Sequence, residues 1–438
     1  MINKTRPAHR TLDKITRITP TRSRARKKWS PAQITQIWTR TIGIISLQKP
    51  ALTGHAGDST TPAVHACYAF VLAVWSESVR GCLMAGGGVE VDAAAQAFTG
   101  KVFGMIAGGV SAFMIDLGLR TGLFDAASGA GPLTSAELAG RAGLDERYVR
   151  EWLAAMTTAG VFRLDGDRFE LPAAHAVCLS GETSRNVAPR TQMVGFLAPH
   201  LESVARAFRD GAGVPYSAFR PGFTGLTDRF NRFRYDQLLV SGYLGSVDGL
   251  IERLGEGIAV ADIGCGSGHC LNIMAAAFPK SSFVGFDIAE DAIAVGDAEA
   301  AQLGLSNARF EVRDVTALPV ACFDLITAFD AIHDQAAPDL VLRSAREALA
   351  AGGVFLAIDV KASSDLAGNL DHPLGPYLYG VSVMHCMSVS LADGGPGLGT
   401  MWGRELATRM FHDAGFTSVE ERPAPTQDPI NTIYLCKP

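Results

Sequence analysis

Residues 260–268, Val-Ala-Asp-Ile-Gly-Cys-Gly-Ser-Gly, limit what this chain can fold into more than any other stretch. A β-rich run, Ile258 to Ala261, reaches an acid at Asp262. Glycines follow at 264, 266 and 268, and an apolar helix is expected from about Cys270 to Phe278. Glycines at this spacing let backbone N–H groups approach a ligand that any side chain would hold off. A dinucleotide loop, G-x-G-x-x-G/A, would need a small residue at 269, where this chain has His. Asp262, two residues ahead of the first glycine, suits a cation better than a pyrophosphate. The loop alone leaves its ligand open.

Three further strand ends narrow the choice. The run Ser282 to Ile288 reads as a strand ending in Asp287, 19 residues beyond Gly268. At that spacing a carboxylate can meet the two ribose hydroxyls of a nucleoside lying across adjacent strand ends. Arg309 to Val315 reads as a strand ending in Asp314, and Cys322 to Asp330 as one delivering Phe329, Asp330 and His333 to the same edge. Each alone is an ordinary strand-end acid; together they are in register.

The pattern D-x-G-x-G-x-G over Asp262–Gly268 resembles motif I of the class I S-adenosylmethionine-dependent methyltransferases, and the resemblance extends over about residues 246–438. It implies a cofactor site of Asp262, Gly264, Cys265, Gly266, Gly268, Asp287, Ile288, Asp314, Val315 and Phe329. Asp287 would serve the ribose. Asp314 would take the adenine amine while Val315 packs on the ring. The cofactor is then S-adenosyl-L-methionine and the product S-adenosyl-L-homocysteine. In Phe329-Asp-Ala-Ile-His-Asp334, the pair His333 and Asp334 resembles the catalytic His-Asp of small-molecule O-methyltransferases, with Gln335 where those enzymes carry an aromatic. Removing a hydroxyl proton favours a base titrating near neutrality, which suits His333. The plainer alternative is a histidine capping the next helix. No metal is expected.

The fold class that follows is α/β: a Rossmann-like, seven-stranded methyltransferase sheet with a reversed last strand, preceded by a mostly helical winged-helix domain. A helix is expected over Leu340–Ala350, a turn at Gly352-Gly353 and a fifth strand over Val354–Val360. A helix over Gly403–Ala414, with Gly415 at its end, precedes the last strands near Ser418–Glu421 and Thr432–Cys436. Strands alternating with helices call for a mostly parallel sheet covered on both faces, with the ligand crevice at the strands' carboxyl ends.

Upstream, residues 84–184 read as a second domain. A long apolar helix spans about Ala93 to Leu117. A Thr/Ser-capped helix closes on Gly143, and Asp145 caps a helix through Thr158. The stretch Val161 to Leu171 is a hairpin turning at Asp165-Gly166. Helix, turn, helix and two-stranded wing resemble the N-terminal winged helix of small-molecule O-methyltransferases, which implies a homodimer. Winged helices also bind DNA, but residues 87–180 hold seven basic and eleven acidic side chains. Such a balance does not neutralise phosphates. The apolar face Tyr148, Trp152, Leu153 and Met156 is expected to pack.

Residues 185–245 read as a helical connector with aromatics from Phe196 to Tyr243 and Arg229, Arg232 and Arg234 among them; most are expected to pack between domains and a few to line an apolar acceptor pocket. Residues 362–402 add to it through Tyr377, Tyr379, Met384 and His385; so long a loop is functional or locally helical. Residues 1–40 carry eleven Lys/Arg and one acid. That basic arm reads as part of an extension, 1–83, with Met84 the true start, or else as a disordered tail or a targeting segment. The eight cysteines are scattered without metal spacing and read as reduced thiols of a cytoplasmic protein. No uninterrupted apolar run reaches 18 residues, so no membrane span is expected.

The expected protein is an enzyme that methylates a small, partly apolar molecule, most naturally at oxygen. Alternatives are N- or C-methylation on the same fold, a non-catalytic winged-helix regulator that senses S-adenosylmethionine, and an NAD-dependent oxidoreductase, which His269 and Asp314 disfavour.

Overall fold

The computed structural model describes residues 89–438. The expectations for residues 1–83, and for Met84 as a start, lie outside these residues.

The first described element, α1 (Val89–Arg120), runs past the expected Leu117 end. Over Asp92–Arg120 it is long and apolar enough to cross a membrane by length and composition: its most apolar 18-residue window has a mean hydropathy of 1.8, with 11% of that window buried. A count of uninterrupted apolar runs passes over this helix, because Lys101 and Asp116 break the run without making it polar on average. Its last turns are docked. Trp152 Nε1 donates to the Met114 carbonyl at 2.7 Å. At Gly118 a Cβ would lie 2.5 Å from the Phe124 ring, so only glycine lets α1 seat there.

The winged helix follows as α2 (Leu123–Ala127), α3 (Ser135–Ala142), α4 (Glu146–Thr158), β1 (Arg163–Asp165), β2 (Arg168–Glu170) and α5 (Ala173–Leu179). Thr134 and Glu137 form a reciprocal capping box on α3, which stops at Gly143 with φ 67°. Asp145 accepts from the Arg147 and Tyr148 N–H groups to start α4. One face of α4 is buried through Val149, Trp152, Leu153 and Met156, and Trp152 sits edge-on to Phe124 and Phe162 at 5.2 and 5.4 Å. Tyr148 does not join this face: it is 81% exposed, because it lies one residue out of the helical repeat that buries Val149 and Trp152.

The connector comprises α6 (Gln192–Leu197), α7 (Leu201–Asp210) and α8 (Gly222–Leu238), which runs on into a π-helical turn at Leu239–Tyr243. After α9 (Leu250–Glu256) the chain alternates: β3 (Ala259–Ile263), α10 (His269–Ala277), β4 (Ser282–Asp287), α11 (Glu290–Gln302), β5 (Ala308–Val312), β6 (Phe323–Phe329), α12 (Pro338–Ala348) and β7 (Leu349–Val360). Then come α13 (Gly375–Val381), α14 (Met387–Ala392), α15 (Arg404–Asp413), β8 (Ser418–Pro423) and β9 (Asn431–Lys437).

The sheet order is β5-β4-β3-β6-β7-β9-β8, with β9 antiparallel to both neighbours. Central β3 pairs in parallel with β4 and β6, Val260 facing Phe283 and Leu325. Its neighbours leave it in opposite directions, so a crevice opens at the carboxyl ends of β3, β4 and β6. Nearly every residue of β3 and β6 is buried, as continuous apolar runs in a doubly covered sheet require. Two expectations shift. Gly352-Gly353 lies inside β7, where the pairing with β6 slips between Phe323 and Leu325, and not at a turn. β5 ends at Val312, leaving Asp314 in the following loop.

The 362–402 segment is locally helical: a 3-10 turn at Leu366–Asn369, α13, a π-helical turn at Ser382–Cys386, and α14. Its two ends are tied together. The Ser364 N–H donates to Glu405 at 2.7 Å and the Ser364 hydroxyl to the Trp402 carbonyl at 2.7 Å.

Candidate active site

A cavity of about 500 Å³ opens at those strand ends, lined by the glycine loop, the β4 and β6 ends, α8 and the 362–402 segment. A larger crevice of about 630 Å³ lies at the opposite edge, around Arg253, Arg346 and the start of β7, away from the converging acids.

Of the residues expected to hold the cofactor, Asp262, Gly264, Cys265, Gly266, Asp287, Ile288, Asp314, Val315 and Phe329 all line the cavity, and so do His333 and Asp334. Gly268 does not. It has φ 73°, and a Cβ there would sit 2.2 Å from the Phe310 ring, so its job is to seat α10 on the sheet. Gly266, at φ 55°, would meet only a Thr224 methyl at 3.7 Å, leaving its backbone open to the cavity. Its N–H donates to Asp287 Oδ2 at 2.9 Å, and Ala289 N–H donates to Oδ1 at 2.8 Å. Burial pushes the Asp287 carboxyl up and these donors pull it back. Asp262 is 1% exposed; burial raises it to about 7 against a 2.7 Å bond from the Thr327 hydroxyl. Asp330, with φ 53°, takes Arg234 on Oδ2 at 3.2 Å and leaves Oδ1 buried without a donor. A nucleoside carrying a cation fits this edge: acids at 262, 287, 314 and 330 face it, an open glycine backbone floors it, and one buried carboxylate oxygen lacks a partner.

His269, where a dinucleotide loop would have a small residue, lines the cavity as part of an ionic lattice. Its Nε2 meets Asp236 at 2.9 Å and its Nδ1 meets Glu299 at 3.0 Å. Arg232 joins Glu299 at 2.6 Å and Asp228 at 2.9 Å, and Ser267 donates to Asp228 at 3.0 Å. Helix α8 is thereby strapped over the glycine loop.

His333 is 4% exposed. Its Nδ1 lies 2.8 Å from Asp359 and its Nε2 3.2 Å from Asp334. Burial opposes a charge on the ring, but Asp359 and Asp334, with hydrogen bonds to Asp359 and Cys386, outweigh it and hold the pKa well above the usual histidine value. Asp359 is a residue that the sequence reading missed. Its signal was there: a lone acid in the apolar run Val354–Val360, buried to 1% exposure.

The wall opposite the strand ends is aromatic. Phe196, Tyr216, Phe223, Phe230 and Tyr377 pack around Met193, Leu197 and Phe219. Tyr216, Phe223, Phe230 and Tyr377 reach the cavity, whereas Tyr379 and Met384 do not line it. His385 is fully buried, stacked on Phe223 with centroids 3.5 Å apart; neither ring nitrogen has a hydrogen-bond partner, and Nδ1 lies 4.0 Å from Asp334. Burial drops its pKa to about 4. Two neighbouring histidines are thus shifted in opposite directions, His333 upward by its carboxylates and His385 downward by burial.

Residues 254–414 match the family model of a methyltransferase domain, and residues 109–181 match the model of an Rv2258c-like winged HTH domain. No curated protein matches the chain. Among solved structures it is similar to PigF with SAH (19% identity, TM-score 0.59, 77% of this chain and 98% of that one). It is also similar to the mitomycin 7-O-methyltransferase MmcR (18%, 0.56, 79% and 100%). A third is human N-acetylserotonin methyltransferase in complex with SAM (17%, 0.55, 78% and 97%). The fold is the one these structures share.

Proposed function

We propose that this chain, an S-adenosylmethionine-dependent methyltransferase of class I with an N-terminal winged-helix domain, methylates a small, partly apolar acceptor at oxygen, with His333 as general base. The observation that carries the reading is the shared cavity: strand-end acids and open glycine backbone on one side, His333 and an aromatic wall on the other.

When bound, S-adenosylmethionine supplies an electrophilic methyl on a sulfonium centre. Asp287 and Asp314 would hold the nucleoside, with Val315 and Phe329 against it, and Asp262 and Asp330 would face cationic groups. The chain's own part in the chemistry lies opposite. The aromatic wall removes water and holds the acceptor in line. Asp359 fixes the His333 ring through Nδ1, so that Nε2, once deprotonated, can take the acceptor's hydroxyl proton. Asp334, beside Nε2, stabilises the imidazolium that results.

Residues 109–181 are read as a protein-facing module. On α4, Arg147 pairs with Glu151 and Arg150 with Glu146, leaving little free positive charge for phosphates. The exposed face of α1 suits a second copy of the chain. Phe98, Met105, Ile106 and Val110 are more than half exposed there, and Gly100, Gly104 and Gly108 form a ridge with nothing within 4 Å. Apolar patches of this kind are usually covered. A monomer by sedimentation at micromolar concentration would sink the dimer. Among the described residues the six cysteines are free thiols, in keeping with a reducing compartment.

The decisive test is calorimetric titration of the protein with S-adenosylmethionine, S-adenosylhomocysteine and NAD. Micromolar binding of the first two and none of NAD is expected; the reverse returns the dehydrogenase class.

A further inference from the structure

Arg190 lines the cavity without a counter-ion. Its guanidinium lies over the Phe230 ring, 5.2 Å from the centroid, and among the described residues no carboxylate comes within ion-pair distance of it. Asp330 and Asp428 are near enough to feel its charge, but Arg234 engages both, at 3.2 and 3.4 Å. Asp428 also accepts from Tyr243 and Asn431. Burial and the like charge of Arg234 push Arg190 below the usual arginine range. A guanidinium kept from its counter-ion in a partly dry cavity is costly, and a planar anion accepting two of its N–H groups relieves that cost.

We propose that Arg190 receives a carboxylate, and that this carboxylate belongs to the acceptor, which then pairs a hydroxyl with an acid on an apolar framework. The inference rests on the methyltransferase reading of the cavity. Its placement comes from Arg190's neighbours. Phe230 and Tyr377 belong to the aromatic cluster of the connector and the 362–402 segment, not to the glycine loop. Tyr377 feels both Arg190 and Cys386, and Cys386 is hydrogen-bonded to His333. The chain Arg190, Tyr377, Cys386, His333 thus runs along the acceptor wall and ends at the base. The amino-acid end of the cofactor also carries a carboxylate, so the test must separate the two sources.

The full-length protein and its Arg190→Gln and Arg190→Lys variants, matched for melting temperature, would be titrated with S-adenosylhomocysteine and with 5′-methylthioadenosine, which lacks the amino-acid end. With S-adenosylhomocysteine saturating, they would then be titrated with hydroxylated arenecarboxylates and their carboxamide twins. We expect at least one carboxylate to bind the wild type about tenfold more tightly than its amide. That preference should vanish in Arg190→Gln and return in part in Arg190→Lys, with S-adenosylhomocysteine affinity held within about threefold. No carboxylate preference in the wild type, or one that survives Arg190→Gln, overturns the proposal. A loss confined to S-adenosylhomocysteine, sparing methylthioadenosine, moves the carboxylate to the cofactor and overturns the acceptor assignment. Wild-type protein that prefers carboxylates yet binds no S-adenosylhomocysteine supports Arg190 as an anion site while breaking the methyltransferase reading.

Discussion

The two walls of the cavity are built in different ways. The strand-end wall comes from β3, β4 and β6, three neighbouring parallel strands whose ends must converge once the sheet forms. The aromatic wall comes from α8, residues 188–197 and the 362–402 segment, which meet only because the whole chain has folded. The first is fixed by backbone geometry and a few acids; the second by which side chains happen to pack. It follows that damage to one wall should leave the other working.

The largest separation is expected from His333→Ala. Turnover should fall by about 10²–10⁴-fold, the usual worth of a positioned base, while S-adenosylhomocysteine affinity stays within about threefold. Comparable losses in both would place the ring in the cofactor site and erase the distinction. Asp287→Ala should do the converse, weakening S-adenosylhomocysteine by about 10–100-fold, since a charged hydrogen-bonding partner is worth roughly 1.5–3 kcal/mol. Unchanged calorimetric affinity would remove Asp287 from the site.

The pH dependence sharpens the same contrast. His333 can accept a proton only when neutral, and its neighbouring carboxylates hold its pKa above the ordinary value. Turnover at saturating substrates should therefore climb as pH rises, with its limb above about 6.5; a limb below that value argues against His333. Asp262, pushed up to about 7, loses its charge as pH falls through that point, so S-adenosylmethionine affinity should weaken on the acid side. A flat affinity profile between pH 6 and 8 would mean that Asp262 faces no cation. The smallest effect is expected from Arg232→Ala, which cuts the strap between α8 and Glu299. Partly exposed ion pairs of this kind are worth about 1 kcal/mol, so S-adenosylhomocysteine should dissociate a few fold faster in stopped flow. An unchanged rate would mean that α8 does not gate that wall.

The same division decides what could be read from the sequence. The glycine loop, Asp262, Asp287 and the strand order were legible because short-range spacing encodes them. Asp314 lies at the cavity although its strand stops two residues early. Gly268 was placed with the ligand but belongs to packing, since its motif position does not say that Phe310 would cover it. Asp359 escaped because a single acid in a buried strand has no spacing rule, only an oddity of burial. Tyr148 was misplaced by one step of a helical repeat. Tyr377 and His385 are candidates only as aromatic members of the 362–402 segment, and of the two Tyr377 lines the cavity; Arg190 belongs to no motif and is absent from the sequence reading.

The tie at Ser364, Trp402 and Glu405 has a consequence for how such a protein changes over time. Because the forty-residue segment is closed at its own base, its length and content can vary at little entropic cost to the sheet beneath it. Insertion or deletion within it can therefore reshape the aromatic side of the cavity without disturbing the strand ends opposite. The two halves of the cavity are separable: one can be rebuilt while the other stands.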